Sequence, residues 1–362
     1  MKQSEKTRNM LIKHYQKYPE LKIQDLFKYI FQSSFGCEHL VSSQAAASEY
    51  ILLESEAFPS QNEATVDTLD GEYSRVPLSI LDTGLSAETL AALFLLSSKK
   101  EENGRALLEE KLAAMEELIL EGALPFCPNE FARAKNEWKA SGFGALHHSE
   151  IFRELYKPSY RVISNEFLPY LPLLARIDRA LAGGRVKLAI EGGSASGKTT
   201  LAELLSRLYD CTVFHMDDFF LRPEQRSAER YDEVGGNVDR ERFLEEVLLP
   251  LSRGEDVIYR RFDCATLTLC PPISVTPKRL TVIEGAYSMH PELASYYDLS
   301  VFLDISPELQ KKRIAVRNSP EMAIRFYNEW IPLEIRYFSE LLIKEKCDIC
   351  ISTVKTPLDN AF

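Results

Sequence analysis

Apolar residues in the first half of the chain recur at helical spacing. Leu21, Ile23, Leu26, Phe27, Ile30 and Phe31 share one face and predict a helix that ends near Gly36. Ser86 is placed to cap a helix over 87–97. Leu108, Leu112, Met115 and Ile119 stack along a longer helix over 101–121, with Gly122 as its stop. A further short helix is expected over 129–139. The exception is a hairpin signal: residues 65–69 and 72–76 flank Asp70-Gly71. Near Ala182-Gly183-Gly184-Arg185 the texture changes. Short β-branched runs at 186–191, 212–216, 281–284, 299–304 and 348–352 alternate with helical stretches such as 201–209. That alternation predicts an α/β fold, a parallel sheet with helices on both faces. The expected division is a mostly helical N-terminal domain, 1–176, and an α/β domain, 177–362.

Composition narrows the class. At 362 residues, with 45% hydrophobic and 27% charged, the chain has the makeup of a soluble globular protein of two domains. A net charge of −11 argues against nonspecific binding to nucleic acid or to anionic membranes. No apolar run reaches the length of a membrane span, and the polar N-terminus carries no secretory signal. Seven scattered cysteines suit a reducing compartment, so a cytoplasmic location is expected. Cys347 and Cys350 form a C-x-x-C on a late strand, without a second ligand pair nearby. Cys37-Glu38-His39 and His147-His148 hold metal-binding residue types but lack ligand spacing. The stretch 152–161 mixes cations and aromatics; it could face the second domain or a ligand, but reads first as a solvated helix end followed by a proline turn. Nothing in this half assigns it a role, and the oligomeric state is not set by the sequence.

The chemistry concentrates around Gly192-Gly193-Ser194-Ala195-Ser196-Gly197-Lys198-Thr199-Thr200, which fits G-x-x-x-x-G-K-[ST] between a buried strand and a helix. Glycines let backbone N–H groups turn toward a phosphate, and the helix N-terminus adds partial positive charge. Lys198 would reach the β- and γ-phosphates of ATP, and the Thr199 hydroxyl would ligate Mg²⁺. The second strand ends in Asp217-Asp218, where a carboxylate can accept the proton of an acceptor hydroxyl. Residues 281–284 end in Glu284, an acid able to hold Mg²⁺ or its water. Lys311, Lys312, Arg313, Arg317 and Arg325 follow the strand ending at Asp304, where cations can close over a triphosphate.

From Val186 to Thr353 these residues resemble the uridine kinase and phosphoribulokinase-like branch of P-loop kinases. The glycine loop has that family's form. Met216-Asp217-Asp218-Phe219-Phe220 resembles its post-strand motif, which implies Asp217 as the base. Asn237-Val238-Asp239 is similar to its N-x-D segment, implying that Asp239 binds ribose hydroxyls. Ile283-Glu284-Gly285 matches its E-G strand end. Phe302-Leu303-Asp304 with Arg313 and Arg317 resembles its lid-proximal segment, and Trp330-Ile331-Pro332 falls at its proline-containing helix. Two departures concern the acceptor. Phe220 replaces a tyrosine, and Tyr259-Arg260-Arg261-Phe262-Asp263 corresponds loosely to the pyrimidine-reading segment, without its histidine. Arg260 or Arg261 could instead read a carboxylate or phosphate. The resemblance implies an ATP- and Mg²⁺-dependent kinase of a small-molecule hydroxyl acceptor, with a nucleoside first. A non-nucleoside acceptor, or a regulatory protein using ATP occupancy as a switch, stays open.

Overall fold

Two breaks in apolar patterning, at the glycine loop and at the strand ends, set where chemistry can sit in this fold. The computed structural model describes residues 3–37, 43–57, 65–69, 71–98 and 103–353. The chain divides into two compact units, Met1–Ala175 and Arg176–Phe362. The division falls inside the helix Leu171–Gly183.

The first unit contains α1 (Gln3–Lys17), α2 (Ile23–Phe35), α3 (Gln44–Ala57), α4 (Ala87–Leu96), α5 (Gly104–Leu120), α6 (Pro128–Ala140) and α7 (Glu150–Tyr156), and α8 (Leu171–Gly183) begins in it. Leu26 and Ile30 of α2 and Leu108, Leu112 and Met115 of α5 are buried, as their spacing predicts. Gly36 ends α2 at φ +62°, and the Ser86 hydroxyl accepts the Thr89 N–H at the start of α4. The hairpin strands pair with Asp67 opposite Arg75; Asp70 of its turn lies outside the described residues. So do residues 99–102, including the expected start of the long helix.

One expectation is corrected here. Residues 152–161 are not only a helix end and a turn. Pro158 follows α7, and Tyr160–Ser164 then adds a third strand to β1 (Asp67–Thr68) and β2 (Tyr73–Pro77), becoming β3. The strand is held because Val162 and Ile163 are both buried. Helix and strand also trap a polar network. His148 lies 3.0 Å from Asp25 Oδ1 through Nδ1 and 2.7 Å from the Tyr160 hydroxyl through Nε2. Gln32 Oε1 accepts from Arg75 Nε at 2.9 Å. His148 is thus tied up in packing, while His147 is exposed and Glu38 and His39 lie outside the described residues.

In the second unit β4 (Val186–Gly192) leads through the glycine loop to α9 (Lys198–Leu208) and β5 (Cys211–His215). Short helices α10 (Ala228–Asp232), α11 (Arg240–Phe243) and α12 (Leu249–Arg253) follow. Then β6 (Val257–Tyr259), β7 (Phe262–Asp263), β8 (Thr268–Leu269) and β9 (Ile273–Val275) form antiparallel ribbons, β6 with β9 and β7 with β8. The chain closes with β10 (Leu280–Glu284), α13 (Pro291–Ala294), β11 (Leu299–Asp304), α14 (Pro307–Arg317), α15 (Pro320–Arg325), α16 (Ile331–Glu340), α17 (Ile343–Lys346) and β12 (Ile349–Ser352). The main sheet is five-stranded in the order β12-β11-β4-β10-β5, every pair parallel. Leu188, Ala189, Ile190, Val282, Ile283, Val301 and Leu303 are fully buried, the near-continuous apolar texture a sheet covered on both faces requires. All strands point the same way, so the carboxyl ends of β4, β5 and β10 meet at one edge, where ligands of open α/β sheets bind.

Candidate active site

The glycine loop begins where β4 ends, pressed against its neighbour β11. Gly192 has φ +147°, and a Cβ there would lie 2.6 Å from the Leu303 carbonyl oxygen, so no other residue fits. Gly197 caps α9 in the left-handed region, and Ala195 is also left-handed at φ +60°. Lys198 Nζ donates to the carbonyls of Gly192 at 2.8 Å and Gly193 at 3.0 Å. Its ammonium is therefore folded back over the loop. Thr199 and Thr200, on the first turn of α9, are exposed.

Strand register assembles the acids. Glu284 sits beside His215 across the β10–β5 pair. Its Oε1 accepts from the Thr199 hydroxyl at 3.2 Å and from His215 Nδ1 at 2.6 Å. The bond to Glu284 raises the His215 pKa above the ordinary imidazole value. Just beyond β5 a tight turn, Met216–Phe219, presents Asp217, which is exposed, and Asp218, which is half-buried. Loss of hydration beside the protein wall pushes the Asp217 carboxyl upward, and Lys198 is the largest charge opposing that shift. Lys198 and Glu284 thus both act on Asp217 although the three come from different segments. The E-G strand end has a packing reason: a Cβ on Gly285 would lie 2.5 Å from Met216 Cβ.

A hydroxyl and a carboxylate converging at the start of α9 form a set of hard oxygen donors, which fits Mg²⁺. The open glycine loop fits a phosphate. Glu233, His290 and Glu292 also bring ligand-type atoms within 4.8 Å of one another. There, however, Arg240 pairs with Glu233 and lies 3.1 Å from Glu292, so a cation already compensates those acids.

On the acceptor side, Phe220 pairs with Val238 and the Asp239 N–H donates to the Phe219 carbonyl at 2.7 Å. The post-strand motif and the N-x-D segment are thus one unit. Asp239 is buried; it accepts from the N–H of Arg242 at 3.3 Å, capping α11, and from Arg242 Nε at 3.1 Å. This structural task was not foreseen in sequence, and it leaves the Asp239 carboxylate largely engaged. Arg260 donates to the carbonyls of Cys270 and Leu269. Arg261 is exposed, and its charge acts on Asp218. Among the expected cations, Arg313 donates to the Ala195 carbonyl at 3.2 Å and Arg317 acts on Asp217, so α14 brings both toward the loop. Arg325 pairs instead with Glu329 on its own surface.

Sequence reasoning missed His215, Glu191 and Glu334. His215 is the last residue of β5, two residues before Asp217, and its place at a strand end was the available signal. Glu191, wholly buried, accepts from the N–H groups of Gly192 at 2.8 Å and Met289 at 3.0 Å, and burial raises its pKa to about 7. Glu334 lies far along the chain, and no spacing rule links it to the loop.

The model of the Phosphoribulokinase / Uridine kinase family matches residues 188–321. A phosphoribulokinase of Synechocystis sp. is 28% identical over 130 residues, 34% of this chain and 39% of the relative. A uridine kinase of Brevibacillus brevis is 28% identical over 149 residues, 38% of this chain and 69% of the relative. The chain thus spans well under half of that phosphoribulokinase. Among solved structures, a possible uridine kinase from Bacillus stearothermophilus is 23% identical with a TM-score of 0.37, covering 49% of this chain and 98% of that one. The residues that match the model of the Phosphoribulokinase / Uridine kinase family hold the glycine loop, both aspartates and Glu284.

Proposed function

We propose that this protein transfers the γ-phosphoryl group of ATP to a hydroxyl of a small molecule, with a nucleoside as the first candidate. The observation that carries the reading is the convergence of Lys198, Asp217 and the Thr199–Glu284 pair at the carboxyl edge of one sheet. Each has a task in phosphoryl transfer, where catalysis is positioning and charge neutralisation. Backbone N–H groups of the loop hold phosphate, and Lys198 swings from its carbonyl partners to the phosphoryl oxygens. Asp217 orients the acceptor hydroxyl and takes its proton. Arg313 and Arg317 add positive charge from α14. Mg²⁺, held by Thr199 and Glu284, would neutralise charge on the phosphates. Phe220, Asp239 and Arg261 line the acceptor side, and Arg261 favours including anionic acceptors in any screen.

The test is single-turnover transfer from Mg-ATP to nucleosides, riboside vitamins and sugar phosphates. Asp217→Asn keeps shape but cannot accept the proton, so kcat is expected to fall by roughly 10²–10⁴ with Mg-ATP affinity little changed. Asp218→Asn is expected to be milder. If no acceptor is phosphorylated, or neither substitution slows turnover, ATP occupancy as a regulatory switch becomes the better reading.

A further inference from the structure

The outer arm of the glycine loop is gripped by side chains from more than a hundred residues further along the chain. Glu334 of α16 accepts the Ser194 N–H through Oε2 at 2.9 Å and the Ser194 hydroxyl through Oε1 at 2.5 Å. Gln310 of α14 donates to the Ser194 carbonyl at 2.9 Å. Every polar group of Ser194 is therefore bound by a helix that follows β11. Arg313 holds the next carbonyl, that of Ala195. One turn after Glu334, Tyr337 donates its hydroxyl to Glu191 at 3.1 Å, and Glu191 in turn binds the Gly192 N–H.

These contacts have a shared consequence. Ala195 stands in the left-handed region, where a residue with a Cβ does not rest unless its surroundings hold it there. The residues that could hold it are those clamping Ser194 and Ala195. Glu334 is also expensive to keep. It is buried, its carboxyl is pushed upward by loss of hydration, and Lys198 is the largest opposing influence. A buried acid beside a phosphate site would by its charge repel the ligand, so charge complementarity does not explain it. Geometry does.

Resting on the nucleotide-binding reading above, we propose that Glu334 is a positioning residue for the phosphate loop. It presets Ser194-Ala195 so that ATP meets an already shaped cradle, and it ties that cradle to α14 and α16. Preorganisation of this kind contributes affinity by removing the ordering cost from the binding step.

Because shape and charge act in opposite directions, two substitutions separate them. Glu334→Ala removes the acceptor and frees the loop. Glu334→Gln keeps an acceptor for the Ser194 N–H and removes the charge. Mg-ATP titrations on the full-length chain, with melting temperatures measured without ligand, are the experiment. The expected result is binding weakened about tenfold or more in Glu334→Ala, and binding equal to or tighter than wild type in Glu334→Gln. Ser194→Ala removes only the hydroxyl contact, so it should weaken binding less, and it should add little to Glu334→Ala, since Glu334 is the partner of both Ser194 groups. If Glu334→Ala does not fold, the Gln and Ser194 variants still decide: wild-type affinity in Ser194→Ala, or a tenfold loss in Glu334→Gln, overturns the proposal. So does a Glu334→Ala variant that melts lower but binds Mg-ATP as wild type does. Failure of the wild-type chain to bind Mg-ATP is a separate outcome; it removes the nucleotide reading, and this inference with it.

Discussion

Glu191 shows how one side chain can carry a pH dependence that its place in a strand conceals. Folding buries it completely, and its pKa rises from 4.5 to about 7 despite the N–H groups of Gly192 and Met289, the Tyr337 hydroxyl and the charge of Lys198. The folded chain therefore binds this proton more tightly than the unfolded chain does. Between those two values it holds more protons, and stability falls as pH rises through the window. The group's full effect is on the order of 3 kcal/mol. Glu191→Gln should flatten the decline in melting temperature between pH 4.5 and 7. Asp217, Asp218 and Glu334 are shifted the same way, so the slope is reduced and not abolished. Identical slopes in the two proteins would sink the argument. At this scale the legible residues were those in a compact motif: the glycines, Lys198, Thr199, Asp217 and Glu284 each stand at a set offset from a strand end. Glu334 and His215 were not legible, because their roles depend on which backbone atom or acid they meet after folding.

Elements were legible where a period and a stop signal coincide. α2 combines helical spacing with the Gly36 stop, α4 starts at the Ser86 cap, α6 opens on Pro128, and the strands of the main sheet are apolar runs too short for helices. The strand β3 was missed because its residues gain stability only by pairing with β2, which lies far back in the chain. The region between β5 and β10 was missed as well. Its short helices and ribbons depend on side-chain clamps such as Arg242, which binds Asp239, Glu246 and the carbonyls of Arg260 and Asp218. The end of β10 gives an element-scale test. At φ +146° and with Met216 in the way, Gly285→Ala meets both backbone strain and overpacking. A loss of roughly 1–3 kcal/mol is expected, read as a lower melting temperature. An unchanged melting curve would mean that Gly285 is not required by packing.

For the whole molecule the division into units can be tested directly. The second half of α8 is bound to the sheet unit: Arg176 donates to the Asp348 carbonyl at 3.2 Å, Tyr209 donates to Asp178 at 2.9 Å, and Arg279 donates to the Leu181 carbonyl. We therefore expect a fragment beginning at Leu171 to fold and bind Mg-ATP, and one beginning at Val186 to melt several degrees lower. Insolubility of the longer fragment beside a stable full chain would mean that the halves share a core. Among the described residues no helix is long and apolar enough to cross a membrane. What the sequence alone determined is local: the glycine loop between strand and helix, the run of strands and helices, and the acids at strand ends, since each rests on neighbours within a few residues. Only the tertiary structure decided how these meet. It set Glu284 beside Thr199 and His215, gave Asp239 a structural partner in Arg242, and brought Glu334 onto Ser194. The physical reason is that strand order and helix docking are chosen by the burial of many side chains at once. A contact spanning a hundred residues therefore leaves no pattern in the stretch of chain on either side of it.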